Sequence, residues 1–408
     1  MEGFALNNIQ NCYVGSTPAT AIYLGSNKIW PTINPYETQY LTFEAINNNV
    51  KFCLASMRND GSLIVEYSLD DGSTWNNLVC TTASPDNGYA TYTPTIQTGA
   101  KILWRRTVTT PLSLTDAIGF YTIYATGDVN VYGNVMSLIY GDNFYGHRDL
   151  TEVTTYENLF SELFYKSPIV NAENLILPAT TLSENCYNKM FRSCTKLITA
   201  PKLPATTLAK DCYSFMFAGC TSLITAPKLP AITLISGCYQ SMFSACINLT
   251  ATPKLPATTL AKDCYYSMFI GCTALTTAPE LPATTLATKC YANMFSGCTN
   301  LTDTPELPAT TLTANCYEYM FKGCTSLVTA PELPATILTD YCYRCMFDDC
   351  SNLNYIKMLA TDISATDCLT DWVAGVSITG TFVKNAAMTT LPTGTSGIPN
   401  RGWTVQDA

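Results

Sequence analysis

His147 is the only histidine in the chain, in the segment Gly146-His-Arg-Asp149, so any imidazole-based triad or proton shuttle would have to run through it. Standing alone, it reads as a solvent-facing or capping side chain. Cys342-Tyr-Arg-Cys345 is the one Cys-x-x-Cys. A four-ligand zinc site needs a second such pair or a Cys-x-x-His, and the sequence offers neither. Cys342 belongs to a repeating column described below, and Cys345 reads as an outward free thiol. The chain has no glycine loop of the phosphate-cradling kind, and the carboxylates of its repeats isolate no acid and base pair. Neither an enzyme nor a cofactor nor a metal is expected.

Ser68-Leu-Asp-Asp-Gly-Ser-Thr-Trp75 matches the Asp-box pattern Ser-x-Asp-x-Gly-x-Thr-Trp, which recurs in sialidases and other β-proteins. The pattern is a hairpin device in which Asp70 bonds turn amides and Trp75 packs beneath them. A single copy, without a propeller or an arginine cluster, reads as a turn rather than as a glycosidase.

Recognition chemistry is better represented. One column, sampled every 26 residues, reads Lys202, Lys228, Lys254 and then Glu280, Glu306, Glu332. Stacked like charges are unfavourable unless screened or paired. The plain reading is duplication history on a solvated edge; the sharper one is a partner of complementary polarity, such as a second copy arranged antiparallel. Phe215, Tyr266 and Tyr319 are outward aromatics that could stack on a sugar, although scattered surface aromatics are the simpler reading.

These residues sit on a repeat that runs from about Asn171 to Trp372 in units of 26, of which CYSFMFAGCTSLITAPKLPATTLAKD, starting at Cys212, is one. The first cysteine recurs at Cys186, Cys212, Cys238, Cys264, Cys290, Cys316, Cys342 and Cys368, the second at Cys194, Cys220, Cys246, Cys272, Cys298, Cys324 and Cys350. A fixed period of this size signals stacked units, each burying its apolar face against its neighbours. Within a unit Cys212, Tyr213, Met216, Phe217 and Cys220 fall in one arc of roughly 140° at 100° per residue, which predicts an amphipathic helix. Gly219, Gly271, Gly297 and Gly323 then read as left-handed helix C-termini. The segment after the second cysteine, closed by Pro227, predicts one short strand per unit, paired in parallel with its neighbours.

The order Cys-x-x-Leu, short strand, Leu-Pro, Leu, then an aromatic residue and Cys resembles the BspA-like, Treponema-type leucine-rich repeats. The Leu-Pro-Ala-Thr-Thr-Leu version is similar to proteins of Bacteroides and of phages that infect them, including crAss-like phages. The resemblance implies an α+β multidomain fold, an antiparallel β-sandwich followed by a leucine-rich-repeat solenoid with one strand and one helix per repeat. For function it implies a structural and recognition protein of a virion, a head or tail fibre or decoration, presenting its repeats to the host surface. The alternative is a bacterial surface adhesin or binding protein of the same kind.

The rest of the chain divides around the repeats. Residues 1–33 read as a small N-terminal module that resembles attachment modules of phage structural proteins, or else as a hairpin packed on the next domain. Residues 34–142 carry seven strand-like runs, Tyr40–Ala45, Val50–Ser56, Leu63–Tyr67, Ala90–Pro94, Lys101–Arg105, Phe120–Ala125 and Val129–Leu138, as an antiparallel sandwich would. Residues 143–177 read as a linker and cap, because Phe164 and Pro178 stand 26 residues before Met190 and Pro204. The repeats fill 178–375, and 376–408 a C-terminal β cap.

Composition bounds the partners. Charged residues make up 13% and the net charge is −9, which argues against nucleic acid. The sequence shows no signal peptide and no apolar run long enough to span a membrane, so a cytoplasmically assembled virion is the expected setting. Of nineteen cysteines, sixteen lie in the repeats and all of these but Cys345 follow its columns; the column cysteines read as reduced, buried ladders in which cysteine serves as a small hydrophobe. The partners expected are other virion proteins through the N-terminal module, a host glycan or protein, and copies of the chain in a homo-oligomer.

Overall fold

The computed structural model describes residues 34–56, 64–79, 92–106, 121–152, 158–400 and 402–408, together with short backbone pairings inside 1–33. The latter are two antiparallel ribbons, β1 (Tyr13–Val14) with β2 (Thr17–Pro18) and β3 (Ile22–Leu24) with β4 (Asn27–Trp30). Of the strand-like runs expected farther on, Ala90–Pro94 has its first two residues outside the described ones, and the rest forms a single antiparallel bridge, Tyr92 with Cys53.

Two sheets face each other in the next region. The larger contains β5 (Leu41–Ala45), β7 (Ile64–Ser68), β8 (Asn76–Val79), β9 (Lys101–Arg105) and β11 (Val129–Asn134), in the order β11-β5-β9-β7-β8, all antiparallel. The smaller pairs β6 (Phe52–Ser56) with β10 (Tyr121–Ala125). Alternation sets what each strand buries: along β11, Val129 and Val131 turn inward while Asn130 and Tyr132 turn out. Phe52 of the smaller sheet meets Phe43 at 5.2 Å and Trp104 at 6.0 Å, closing the core between the sheets.

The sandwich does not stop at a linker. β11 pairs in parallel with β12 (Ile169–Asn171) and β13 (Leu175–Ile176), and from β10 Ile123 donates to the Leu163 carbonyl at 2.8 Å. Both sheets thus hand their open ends to the same first coil of the repeat, and one hydrophobic core runs through both regions.

The repeat itself overturns the expected architecture. The chain is about 3% helical and 22% strand, and the one α-helix among the described residues, α1 (Ser137–Tyr140), lies outside the repeats. An α+β fold with a leucine-rich-repeat solenoid of one helix per repeat is therefore excluded. Where the helix was expected the backbone forms successive tight turns, with a left-handed residue every fourth position: Asp211 (φ 52°), Phe215 (55°) and Gly219 (75°), then Asp263, Ser267 and Gly271, and so on. Left-handed residues at that frequency are incompatible with a right-handed helix.

Hydrogen bonding explains the choice. Ser214, Met216, Ala218 and Cys220 donate within the coil to residues three back, while the amides between them reach the next coil: Tyr213 to Cys238 at 3.1 Å, Phe215 to Gln240 at 2.8 Å, Phe217 to Met242 at 2.9 Å. A helix would satisfy all these amides internally and leave none to bind coil to coil. Four residues per turn accommodates the apolar pattern as well as 3.6 does. Cys212, Met216 and Cys220 then form one column and Tyr213 and Phe217 a second.

The strand expected in each unit shrinks to isolated parallel bridges, such as Thr225 with Ala251, Thr277 with Asp303 and Thr329 with Tyr355. A longer ladder appears only at the end of the stack. There β14 (Tyr355–Met358), β15 (Gly380–Lys384) and β16 (Trp403–Asp407) form a parallel three-stranded sheet, which the tail supplies with two strands.

Inside, the columns are continuous. Tyrosine rings stack from Tyr187 to Tyr343 with centroids 5.7–6.0 Å apart. A parallel row of phenylalanines runs beside them from Phe191 to Phe347, and both rows end on Trp372, whose Nε1 donates to the Gly397 carbonyl at 2.9 Å. Every one of the 17 described cysteines is free and buried. The second cysteine of each unit bonds backward to the preceding coil, as Cys246 Sγ does to Phe217 O at 3.2 Å and Cys298 Sγ to Phe269 O at 3.2 Å.

Candidate functional site

Six successive coils carry the motif Pro-x-Leu-Pro on their outside, and x is the charged column. The leucine points inward (Leu229, Leu255, Leu281 and Leu307 are buried), so the residue before it must turn out, and all six of Lys202, Lys228, Lys254, Glu280, Glu306 and Glu332 are exposed. Successive coils leave grooves between their proline motifs. One, of about 260 Å³, is lined by Thr252, Pro253, Lys254, Pro256 and Glu280; another, of about 400 Å³, by Pro305, Glu306, Pro308, Pro331 and Glu332. The first is where the column changes sign. Although neighbours across it, Lys254 and Glu280 form no ion pair, and among the six only Glu332 has one, to Lys357 at 2.9 Å.

The three expected surface aromatics fare differently. Phe215 and Tyr319 occupy left-handed turn positions and are half-buried. Arg192 lies over Phe215 at 5.8 Å, and Lys322 and Arg344 lie over Tyr319 at 5.6 and 5.8 Å, so each ring already has a cation on it. Tyr266 is also half-buried and has no such cover among the described contacts. The column that Phe215 and Tyr319 share is not freely outward, since Ser241 and Ser267 in it are buried. Cys345, expected outward, is 8% exposed, with Sγ 3.7 Å from the Thr370 carbonyl.

His147 is stacked flat on Tyr140, ring centroids 3.5 Å apart, with Nδ1 4.0 Å from Glu152. In the Asp-box turn, Asp70 accepts from the Thr74 amide at 2.8 Å and the Thr74 hydroxyl at 2.6 Å, while Gly72 N–H donates to Ser68 Oγ at 2.8 Å. These bonds hold the Asp70 carboxyl down to about 2. Trp75 lies against Tyr40 at 5.0 Å with the Arg105 guanidinium over it at 4.0 Å. The contacts of Asp70 and Trp75 close the turn.

A cleft of about 320 Å³ escaped the sequence reading. It crosses the solvent face of the larger sheet where β11 meets β12, lined by Tyr36, Tyr132, Glu44, Lys101, Asn130 and Asn171 among others. Register assembles it: Glu44 stands directly opposite both Lys101 on β9 and Asn130 on β11. Tyr36 and Tyr132 meet edge to face at 5.5 Å, Lys101 Nζ sits 5.9 Å from the Tyr132 ring, and burial raises the Tyr132 phenol above its ordinary range. The cleft therefore offers two aromatic rings, amide donors and acceptors, one carboxylate and one ammonium. Alternation along β5, β9 and β11 was the available signal, but no sequence rule specifies which outward residues become neighbours across strands.

Comparison with protein-family models, with curated proteins and with solved structures finds no match to the chain.

Proposed function

We propose that this chain is a structural recognition protein of a phage virion, a head or tail fibre or decoration, which holds a ligand-binding cleft on a rigid stack of coils. The observation that carries the recognition part is the cleft at the junction of sandwich and stack. Paired tyrosine rings give apolar faces for a sugar's C–H surface, and the amides, Glu44 and Lys101 give directional partners for its hydroxyls. A glycan of the host surface is the ligand this lining suits. The similarity of the Leu-Pro-Ala-Thr-Thr-Leu units to proteins of Bacteroides phages supplies the setting, with residues 1–33 as the attachment to other virion proteins.

Mass spectrometry of purified Bacteroides phage particles tests the setting. The polypeptide is expected in the particles at a fixed copy number relative to the major capsid protein. Its absence from particles, with the protein recovered from the bacterial envelope, would replace the virion reading with the adhesin one.

A further inference from the structure

The charged column has a symmetry that none of the structure's internal contacts uses. Three lysines are followed by three glutamates on consecutive coils, with the change of sign at the groove that Lys254 and Glu280 share. Reversing the column end to end exchanges every lysine for a glutamate. A surface that is its own complement under reversal is what a two-fold interface between identical chains requires. From this antisymmetry we propose that the Pro-x-Leu-Pro face docks on the same face of a second copy, the two stacks running antiparallel about a two-fold axis that crosses the Lys254–Glu280 groove.

In that arrangement Lys254 meets Glu280 of the second copy, Lys228 meets Glu306 and Lys202 meets Glu332. Each pair occurs twice by symmetry. The lysines of one copy project toward the acidic groove that Glu306 and Glu332 line in the other. The flanking columns raise no obstacle to reversal, because Pro204, Pro230, Pro256, Pro282, Pro308 and Pro334 are identical on every coil. Direction is enforced as well: a parallel, in-register face would set lysine on lysine and glutamate on glutamate. Within one chain the arrangement is unfavourable, since like charges are stacked one coil apart, about 5 Å. Glu332 alone has an internal partner, Lys357, so the outermost pairs are shared and the four inner ones dominate. A narrow strip held by rim-exposed ion pairs makes a salt-sensitive dimer. The inference stands independently of what the cleft binds.

Sedimentation velocity on the full chain, at about 100 μM and low salt, tests it with charge swaps on these exposed positions. The wild type is expected to be dimeric, with a dissociation constant at least about tenfold weaker at 0.5 M salt. The all-lysine column (E280K/E306K/E332K) and the all-glutamate column (K202E/K228E/K254E) should each be monomeric alone and should dimerise when mixed. The sixfold swap, which restores antisymmetry with reversed polarity, should dimerise again. Carbodiimide coupling should join Lys228 to Glu306, which are three coils apart in one chain and out of reach of a zero-length crosslink except between chains. A monomeric wild type, self-association of the all-lysine variant equal to that of the wild type, or a crosslinked dimer without the Lys228–Glu306 product would overturn the proposal.

Discussion

Phe164 lies edge-on to Phe43 with ring centroids 5.7 Å apart, and on its other side it tilts against Phe191 at 5.1 Å. Phe43 belongs to the sandwich and Phe191 to the first full coil, so this one ring joins two cores that the primary structure suggests are separate. Through it an aromatic file runs from Trp104 to Trp372.

Phe164→Ala removes the joint. Truncating a fully buried phenylalanine costs about 3–5 kcal/mol. Calorimetry should show one cooperative transition for the wild type and two for the variant, with the sandwich melting apart from the stack. A variant that keeps a single transition within a degree or two of wild type would show that the cores are not coupled there.

The turn backbone predicts an inversion of the usual glycine rule. Asn293 has φ 57° and Gly297 φ 74°. In a helix Asn293→Gly would cost a few tenths of a kcal/mol or more, whereas at a left-handed position it should be neutral or stabilising by up to about 1 kcal/mol. Gly297→Ala should cost about 1–2 kcal/mol through backbone strain, since the added Cβ finds only ordinary contacts, 3.7 Å from Gly271. Urea denaturation at pH 7 measures both, and a destabilised Asn293→Gly would argue for the helix.

Alkaline pH should unfold the stack through its thiols. Burial pushes Cys238, Cys290 and Cys298 up to about 12, whereas an unfolded thiol ionises near about 8.5. Above that value the unfolded chain binds fewer protons than the native one, so stability falls as pH rises. The thiols' contribution is full below about pH 8.5 and lost progressively toward about 12, at roughly 1.4 kcal/mol per pH unit for each thiol that titrates only on unfolding. The urea midpoint should drop steeply between pH 9 and pH 11, and maleimide at pH 7 should spare the buried cysteines until denaturant is added. A flat midpoint over that range would contradict the burial.

Asp70 predicts the opposite dependence on a local scale. Its carboxyl is held down to about 2, chiefly by the Thr74 hydroxyl and amide, so its support of the β7–β8 hairpin is present above about pH 4 and fades as pH falls toward 2. Asp70→Ala should speed hydrogen exchange at the Thr74 amide at neutral pH while leaving the cleft untouched. Loss of ligand binding in that variant would give the turn a role beyond structure.

Much of this was legible beforehand, and its limits are instructive. The 26-residue period, the inward faces of Cys212, Tyr213, Met216 and Phe217 and the outward Lys and Glu column all follow from pattern alone. The backbone that carries them does not, because Cys, Tyr, Met, Phe, Cys at offsets 0, 1, 4, 5 and 8 fits a period of 3.6 and a period of 4 alike. What separates the two is the residue before the first cysteine: Asn185, Asp211, Gly237, Asp263, Asn315 and Asp367, six of the eight, are of types that tolerate a left-handed backbone, with Lys289 and Tyr341 the exceptions, and Gly219 and its equivalents follow eight positions later. Read together they mark turns; read singly, the glycines mimic a helix end. The cleft was illegible for another reason. Tyr36, Glu44, Lys101 and Tyr132 are scattered over nearly a hundred residues and become neighbours only through strand register.

Binding of the full chain to an array of bacterial surface polysaccharides tests the central claim most directly. The account predicts that the wild type binds at least one glycan, that Tyr132→Ala weakens it by tenfold or more with the fold intact, and that Tyr36→Ala acts in the same direction. Binding undiminished by both substitutions, or no glycan bound at all, would contradict it.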